Sequence, residues 1–182
     1  MFAALIAAAA LSASGCDFGS RTADAPAELD QYAFLIGDHE IQMRFWRPED
    51  QRWGDRVLRA RWVGRWVLDG HAIADEWFGA IPEGASGPSV LGYNVRMWDA
   101  ANGRWSNMWM TTAQPQVQDL PSEMRDGRMV MWQAHPAPSP EWKAEFEVHA
   151  DGSWTRTQYV SDGQGGWTPQ FKLDARRRTT CG

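Results

Sequence analysis

The chain has 182 residues, 23 Asp and Glu against 18 Lys and Arg, and a net charge of −5. That length suits one domain with a sizeable core plus a short appendage, and an acidic balance without a basic cluster argues against nucleic acid as a partner. Twelve Trp residues are the outlying count, because an indole fills wide interiors and asks for a partner for its N–H, which suits a broad barrel lumen or an aromatic ligand surface.

Residues 1–15 form an apolar, small-residue run too short to span a bilayer as a helix, and read as a signal peptide. The run Leu11-Ser12-Ala13-Ser14-Gly15-Cys16 resembles the lipobox of bacterial lipoproteins. The resemblance implies lipidation of Cys16, a membrane partner through that lipid, and a cell-envelope address facing the periplasm; plain secretion is the alternative. Residues 16–31, rich in Ala, Ser, Asp and Pro and without apolar periodicity, read as a flexible tether. The remaining cysteine, Cys181, is then a leftover thiol, or in an oxidising compartment pairs with Cys16. His39, His71, His135 and His149 have no zinc-type spacing, so neither a structural metal nor any other cofactor is expected.

Order is expected from Tyr32, with a short helical turn over Tyr32–Gly37 packed into one end of the fold, and a domain over 32–178 before a tail at 179–182. After Gly37 the chain breaks into alternating runs that predict strands near 39–47, 56–67, 71–78, 90–98, 104–112, 117–125, 128–134, 141–149, 153–160 and 167–175. Asp69-Gly70 and Asp126-Gly127 read as two-residue turns, 100–103 as a four-residue turn ending on Gly103, and 150–152 as a tight bend. About ten short strands joined mostly by tight hairpins predict an all-β, antiparallel up-and-down barrel, since a long meander removes its edges by closing.

Turn positions also predict register. The Asp69-Gly70 turn places Trp66 opposite Ile73, Gly64 opposite Asp75 and Trp62 opposite Trp77. One face then carries Leu58, Ala60, Trp62, Gly64, Trp66, Ile73, Asp75 and Trp77, and the other Arg59, Arg61, Arg65 and Glu76. The aromatic face points inward and contains a single acid, Asp75. The second hairpin pairs Trp98 with Trp105, Arg96 with Asn107 and Asn94 with Trp109, but its apolar opposite face of Tyr93, Val95, Met97, Met108 and Met110 is an equal candidate for core. On the later strands Trp142, Ala144, Phe146 and Val148, and then Phe171, Leu173 and Ala175, are expected to face in.

Four segments, F-L-I-G-D-H-E-I-Q-M-R, L-D-G-H-A-I-A-D-E-W, V-R-M-W-D-A-A-N-G-R-W-S-N-M-W and S-D-G-Q-G-G-W-T-P-Q-F, resemble in order and spacing an uncharacterised bacterial family of calycin-like, lipocalin-like barrels. His39 departs from that family's usual Trp. The resemblance implies that the parity of Ser106 faces solvent, and so that Arg96, Asn107 and Trp109 face the lumen. The family's own function is unknown.

The candidate ligand site is therefore Trp62, Asp75, Trp77, Asn94, Arg96, Asn107 and Trp109. A buried guanidinium needs a partner, and Asp75 on the neighbouring strand is one. Two arrangements satisfy it. In the first, Asp75 and Arg96 close on each other inside a filled barrel that serves as a scaffold. In the second, Arg96 meets an anionic or carbonyl group of a small, lipophilic or organic-acid ligand among the indoles. Catalysis is not expected: no Gly-x-Ser-x-Gly occurs, Ser153 near His149 and Ser139 near His135 have no evident acid behind them, and Asp75 and Glu76 point to opposite faces. A haem held by His39 or His71 is a lesser alternative. An interaction barrel docking through Arg59, Arg61 and Arg65 is another.

Overall fold

A computed structural model describes residues 16–79 and 91–179. The signal peptide expected at 1–15 and Cys181 lie outside the described residues. A 3-10 helix over Ala27–Leu35 precedes β1 (Gly37–Arg47), β2 (Arg52–Trp53), β3 (Leu58–Val67), β4 (Ala72–Phe78), β5 (Leu91–Asp99) and β6 (Arg104–Thr111). There follow β7 (Gln118–Asp119), β8 (Ser122–Arg125), β9 (Arg128–Trp132), β10 (Trp142–Val148), β11 (Trp154–Ser161) and β12 (Trp167–Arg177). Successive long strands pair antiparallel, and β12 returns to β1, with His39 opposite Arg177 and Phe45 opposite Phe171. The result is a closed antiparallel barrel of ten strands with a calycin-like fold. In it β7 and β8 together form one stave, and β2 is an appendage at the far end of β1.

Both key hairpins have the expected register. Gly64 faces Asp75 and Trp62 faces Trp77 across β3–β4, and Arg96 faces Asn107 across β5–β6. The first turn is wider than a two-residue loop: Leu68, Asp69 and Gly70 all take positive φ and the ladder ends at Val67 and Ala72. The stretch expected as one strand over 117–125 is broken at Pro121, which lacks an N–H for the ladder. Its seam with β6 is thin. Trp105 opposite Ser122 is the sole pair joining β6 to β8.

The helix seals one end of the barrel. Leu29, Tyr32 and Leu35 are fully buried, and the Tyr32 ring meets Trp105 edge-on at 4.8 Å and Phe146 at 5.8 Å. The helix starts five residues before the helical turn expected at Tyr32. Gly64 explains how it fits, because a Cβ there would run into the Leu35 carbonyl. The tether expected over 16–31 lies instead against the barrel. The Phe18 carbonyl accepts the Trp66 N–H at 2.8 Å, a Cβ on Gly70 would run into Ser20 and Thr22, and Arg21 pairs with Asp30 at 2.6 Å. Ala25 and Leu29 hold this stretch by burial that needs no periodic pattern. Cys16 is disulfide-bonded. A sulfur so engaged cannot carry a thioether, so lipidation and the disulfide are alternative fates of one atom.

Outside the barrel, Tyr93, Met97, Met108 and Met110 are exposed, which settles the open face of β5–β6. Val148, expected inside, is exposed at the end of β10, beyond the last inward residue Phe146. The arginines of the outer β3 face are engaged with acids: Arg59 with Glu40 at 2.7 Å, Arg61 with Asp38 at 2.8 Å and Arg65 with Glu76 at 2.9 Å. A free basic docking strip is therefore not what that face offers.

His39 stands at the sealed end, 1% exposed, with its ring 5.7 Å from Trp154. Burial, then the nearby Arg177 charge, pulls its pKa below the ordinary value of 6.5. The unfolded chain then binds a proton that the folded state refuses, so stability is lost as pH falls through the unfolded value. Thermal melts between about pH 7 and pH 5 should show that loss in the wild type and a smaller one in His39→Phe; equal acid sensitivity would remove His39 as the cause.

Candidate ligand cavity

Asp75 and Arg96 form a closed pair. The Arg96 Nε donates to Asp75 Oδ2 at 2.7 Å and Nη2 to Oδ1 at 3.4 Å, with both side chains inaccessible to solvent. The Tyr32 ring covers the guanidinium at 4.6 Å, and Nη1 points to the Met131 sulfur at 3.9 Å. Burial pushes the Asp75 carboxyl upward against the pull of Arg96. Burial also works against the Arg96 charge, but Asp75 and then Tyr32 outweigh it and hold the guanidinium above its ordinary value. The pair lies on adjacent strands because Ile73 faces Arg96 and Asp75 faces Asn94, so the two charges meet on the diagonal.

Asn107 has a structural task. Its Nδ2 donates to the Leu120 carbonyl and to Ser122 Oγ, which also accepts the Tyr32 hydroxyl at 2.9 Å. These bonds stitch β6 to the β7–β8 stave where the ladder is thin, and tie both to the helix.

Beside this sealed layer lies a cavity of about 750 Å³. Trp62, Trp77, Trp109, Trp142, Met43 and Phe171 give it apolar walls. The segments 113–116 and 136–138 border it at the end away from the helix, together with Gln118 and Gln133. The Trp142 Nε1 donates to Gln133 Oε1 at 2.9 Å, and Gln133 Nε2 to the Pro136 carbonyl at 2.6 Å, which fixes that border. Of the expected site residues, Trp62, Trp77, Asn94, Arg96 and Trp109 line the cavity. Asp75 and Asn107 do not. They stand behind the wall and hold it.

Arg156 and Gln158 on β11 also line the cavity and were not among the expected residues. Arg156 is 8% exposed and its Nη2 donates to Gln158 Oε1 at 3.2 Å. Phe146 lies 5.8 Å and Phe171 5.5 Å from the guanidinium carbon. Among the described residues no carboxylate lies within ion-pair distance of it. Burial, then repulsion from Arg96, pushes its pKa down to about 10. Two further lining groups lack a partner among the described residues: the Trp62 indole N–H and the Asn94 Oδ1, both buried. Neither atom has surface open to the cavity, and His39 Nδ1, Asn107 Oδ1 and Trp154 Nε1 are unbonded in the same way away from it, so these atoms do not single out this space.

Neither His considered for haem reaches this space. His39 packs at the sealed end, and His71 is exposed beside Leu68, its Nδ1 3.2 Å from that carbonyl. Of the catalytic pairings named from sequence, Ser153 and His149 are engaged away from this space: Ser153 Oγ donates to Asp151, and His149 Nε2 lies 3.0 Å from Thr155 Oγ1 on the barrel exterior.

No protein-family model and no curated protein matches the chain. Among solved structures it is similar to an S-type phycobiliprotein lyase, CPES, from Guillardia theta, at 10% identity and a TM-score of 0.54, over 85% of this chain and 93% of that one. That likeness is one of fold: the protein is a calycin-like barrel with an accessible internal cavity. The neighbour is named as an enzyme, so the expectation of a barrel without catalysis gains no support from it.

Proposed function

We propose that this protein binds a small, partly apolar ligand in the Trp-lined cavity. The observation that carries the reading is the cavity itself, about 750 Å³, which falls within the roughly 300–1,000 Å³ of small-molecule sites and combines aromatic walls with a few convergent polar groups. A scaffold reading needs a filled lumen. Here the charged pair is sealed as a scaffold would have it, yet open volume lies beside it. The likeness to a phycobiliprotein lyase agrees with a barrel of ligand-binding kind.

Native mass spectrometry of protein purified under mild conditions is the test. A retained mass of a few hundred daltons, lost in Gln118→Trp where an added indole closes the open border, is the expected result. Retention of the same mass by that variant would place the ligand elsewhere.

We also propose a cell-envelope location, from the apolar run over 1–15 and the lipobox-like Leu11–Cys16. Lipid on Cys16 and a disulfide at Cys16 give different intact masses and different partitioning into detergent, so one fractionation separates the lipoprotein from the secreted form.

A further inference from the structure

Three charged side chains are buried around the lumen: Asp75, Arg96 and Arg156. Asp75 is consumed by Arg96 through two hydrogen bonds. Arg156 is left with Gln158 as its hydrogen-bond partner, although a guanidinium carries five N–H donors. The interior therefore holds one positive charge more than it balances. An uncompensated buried cation is costly, and a protein tolerates it where a counter-charge arrives from outside. Arg156 borders the open volume, so the missing partner has room.

We propose that the ligand is an organic monoanion, and specifically a monocarboxylate with an aromatic or polyunsaturated body, whose carboxylate is held by Arg156. This deepens the cavity reading and rests on it. The planar fork of arginine matches the two oxygens of a carboxylate, and Phe146 and Phe171 on either side restrict where that fork can turn. Trp62 and Asn94 stand on the same wall, the first presenting its indole face to the cavity, with the unbonded indole N–H and amide oxygen buried behind it. The body of the ligand then runs from Arg156 along Trp77 and Trp109 toward the open border at 113–116. One excess charge inside calls for one negative charge on the ligand. A dianion would carry an unbalanced charge into the same low-dielectric space.

The test uses two fluorescent probes of one shape and different charge, anthracene carboxylate and anthracene carboxamide, titrated into the whole protein at neutral pH. The expected result is a carboxylate at least about tenfold tighter than the carboxamide, a difference of one decade in Kd. Arg156→Met should erase the preference, so that the two probes bind alike, and Arg156→Lys should restore part of it. A circular dichroism melt of each variant establishes that it is folded. Equal affinity of the two probes for the wild type overturns the charge assignment and leaves the cavity reading standing. Binding of neither probe, with no retained ligand to block them, overturns the cavity reading and this inference with it. A preference that survives Arg156→Met moves the anion site away from Arg156 and contradicts the proposal.

Discussion

Asp75→Ala should unfold the barrel far more readily than it alters any ligand affinity. It leaves the Arg96 guanidinium buried beneath Tyr32 with no acid among the described residues to replace Asp75. Breaking one partner of such a pair typically costs about 3–5 kcal/mol, which at roughly 2–4 °C per kcal/mol lowers the melting temperature by about 6–20 °C. The double variant Asp75→Leu with Arg96→Met should recover most of that loss, since an apolar pair of similar volume replaces both charges and removes both desolvation costs. Melts of the single and double variants check this. Equal destabilisation in both would mean that the pair's specific geometry, rather than its unbalanced charge, holds the β4–β5 wall.

Arg156→Met should act in the opposite direction. In the unliganded protein the Arg156 charge is buried and unpaired, and its depressed pKa, about 10, means that the unfolded chain holds the proton more tightly than the folded one. A cation with a lowered folded pKa weakens the fold at every pH below that value, and stability rises as pH climbs through the window from about 10 to the unfolded value. Removing the charge should therefore stabilise the apo fold by an amount on the order of 1–3 kcal/mol, given how far burial alone disfavours an unpaired ion, and so raise its melting temperature. Most core truncations destabilise, so the sign is diagnostic. Excess ligand should reverse the ranking, because ligand stabilises the state it binds in proportion to RT ln(1 + [L]/Kd) and binds the wild type more tightly. A destabilised Arg156→Met apo protein would mean that Arg156 already has its partner within the fold.

The barrel was legible because its turns are written in residue types. Asp69-Gly70 and Gly103 mark the hairpins, and from them the register that joins Gly64 to Asp75 and Arg96 to Asn107 follows by counting. The same counting reaches Arg156. The bend at 150–152 sets Val148 opposite Trp154 and so Phe146 opposite Arg156, and an inward Phe146 implies an inward Arg156. A charged side chain ordinarily belongs at the surface, and alternation alone does not say which polar residues a lumen accepts. The split of the stave at Pro121 also had a visible marker. What the sequence concealed is the placement of 18–35: no apolar period runs through it, because it is held by a few buried side chains and by backbone bonds to Trp66 rather than by an amphipathic face. The open volume was concealed as well. Whether large side chains meet across a lumen depends on how their rotamers share the space, and twelve Trp residues are as consistent with a plugged barrel as with a walled one.

The space beside the Asp75–Arg96 pair should admit a ligand. A titration of anthracene carboxylate into the purified protein, read by energy transfer from the indoles of Trp62, Trp77 and Trp109 to the probe, tests it directly. Saturable transfer at one probe per barrel, abolished by Gln118→Trp, is the expected result. Absence of saturable transfer in ligand-free protein, or transfer unchanged when that border is closed, would contradict it.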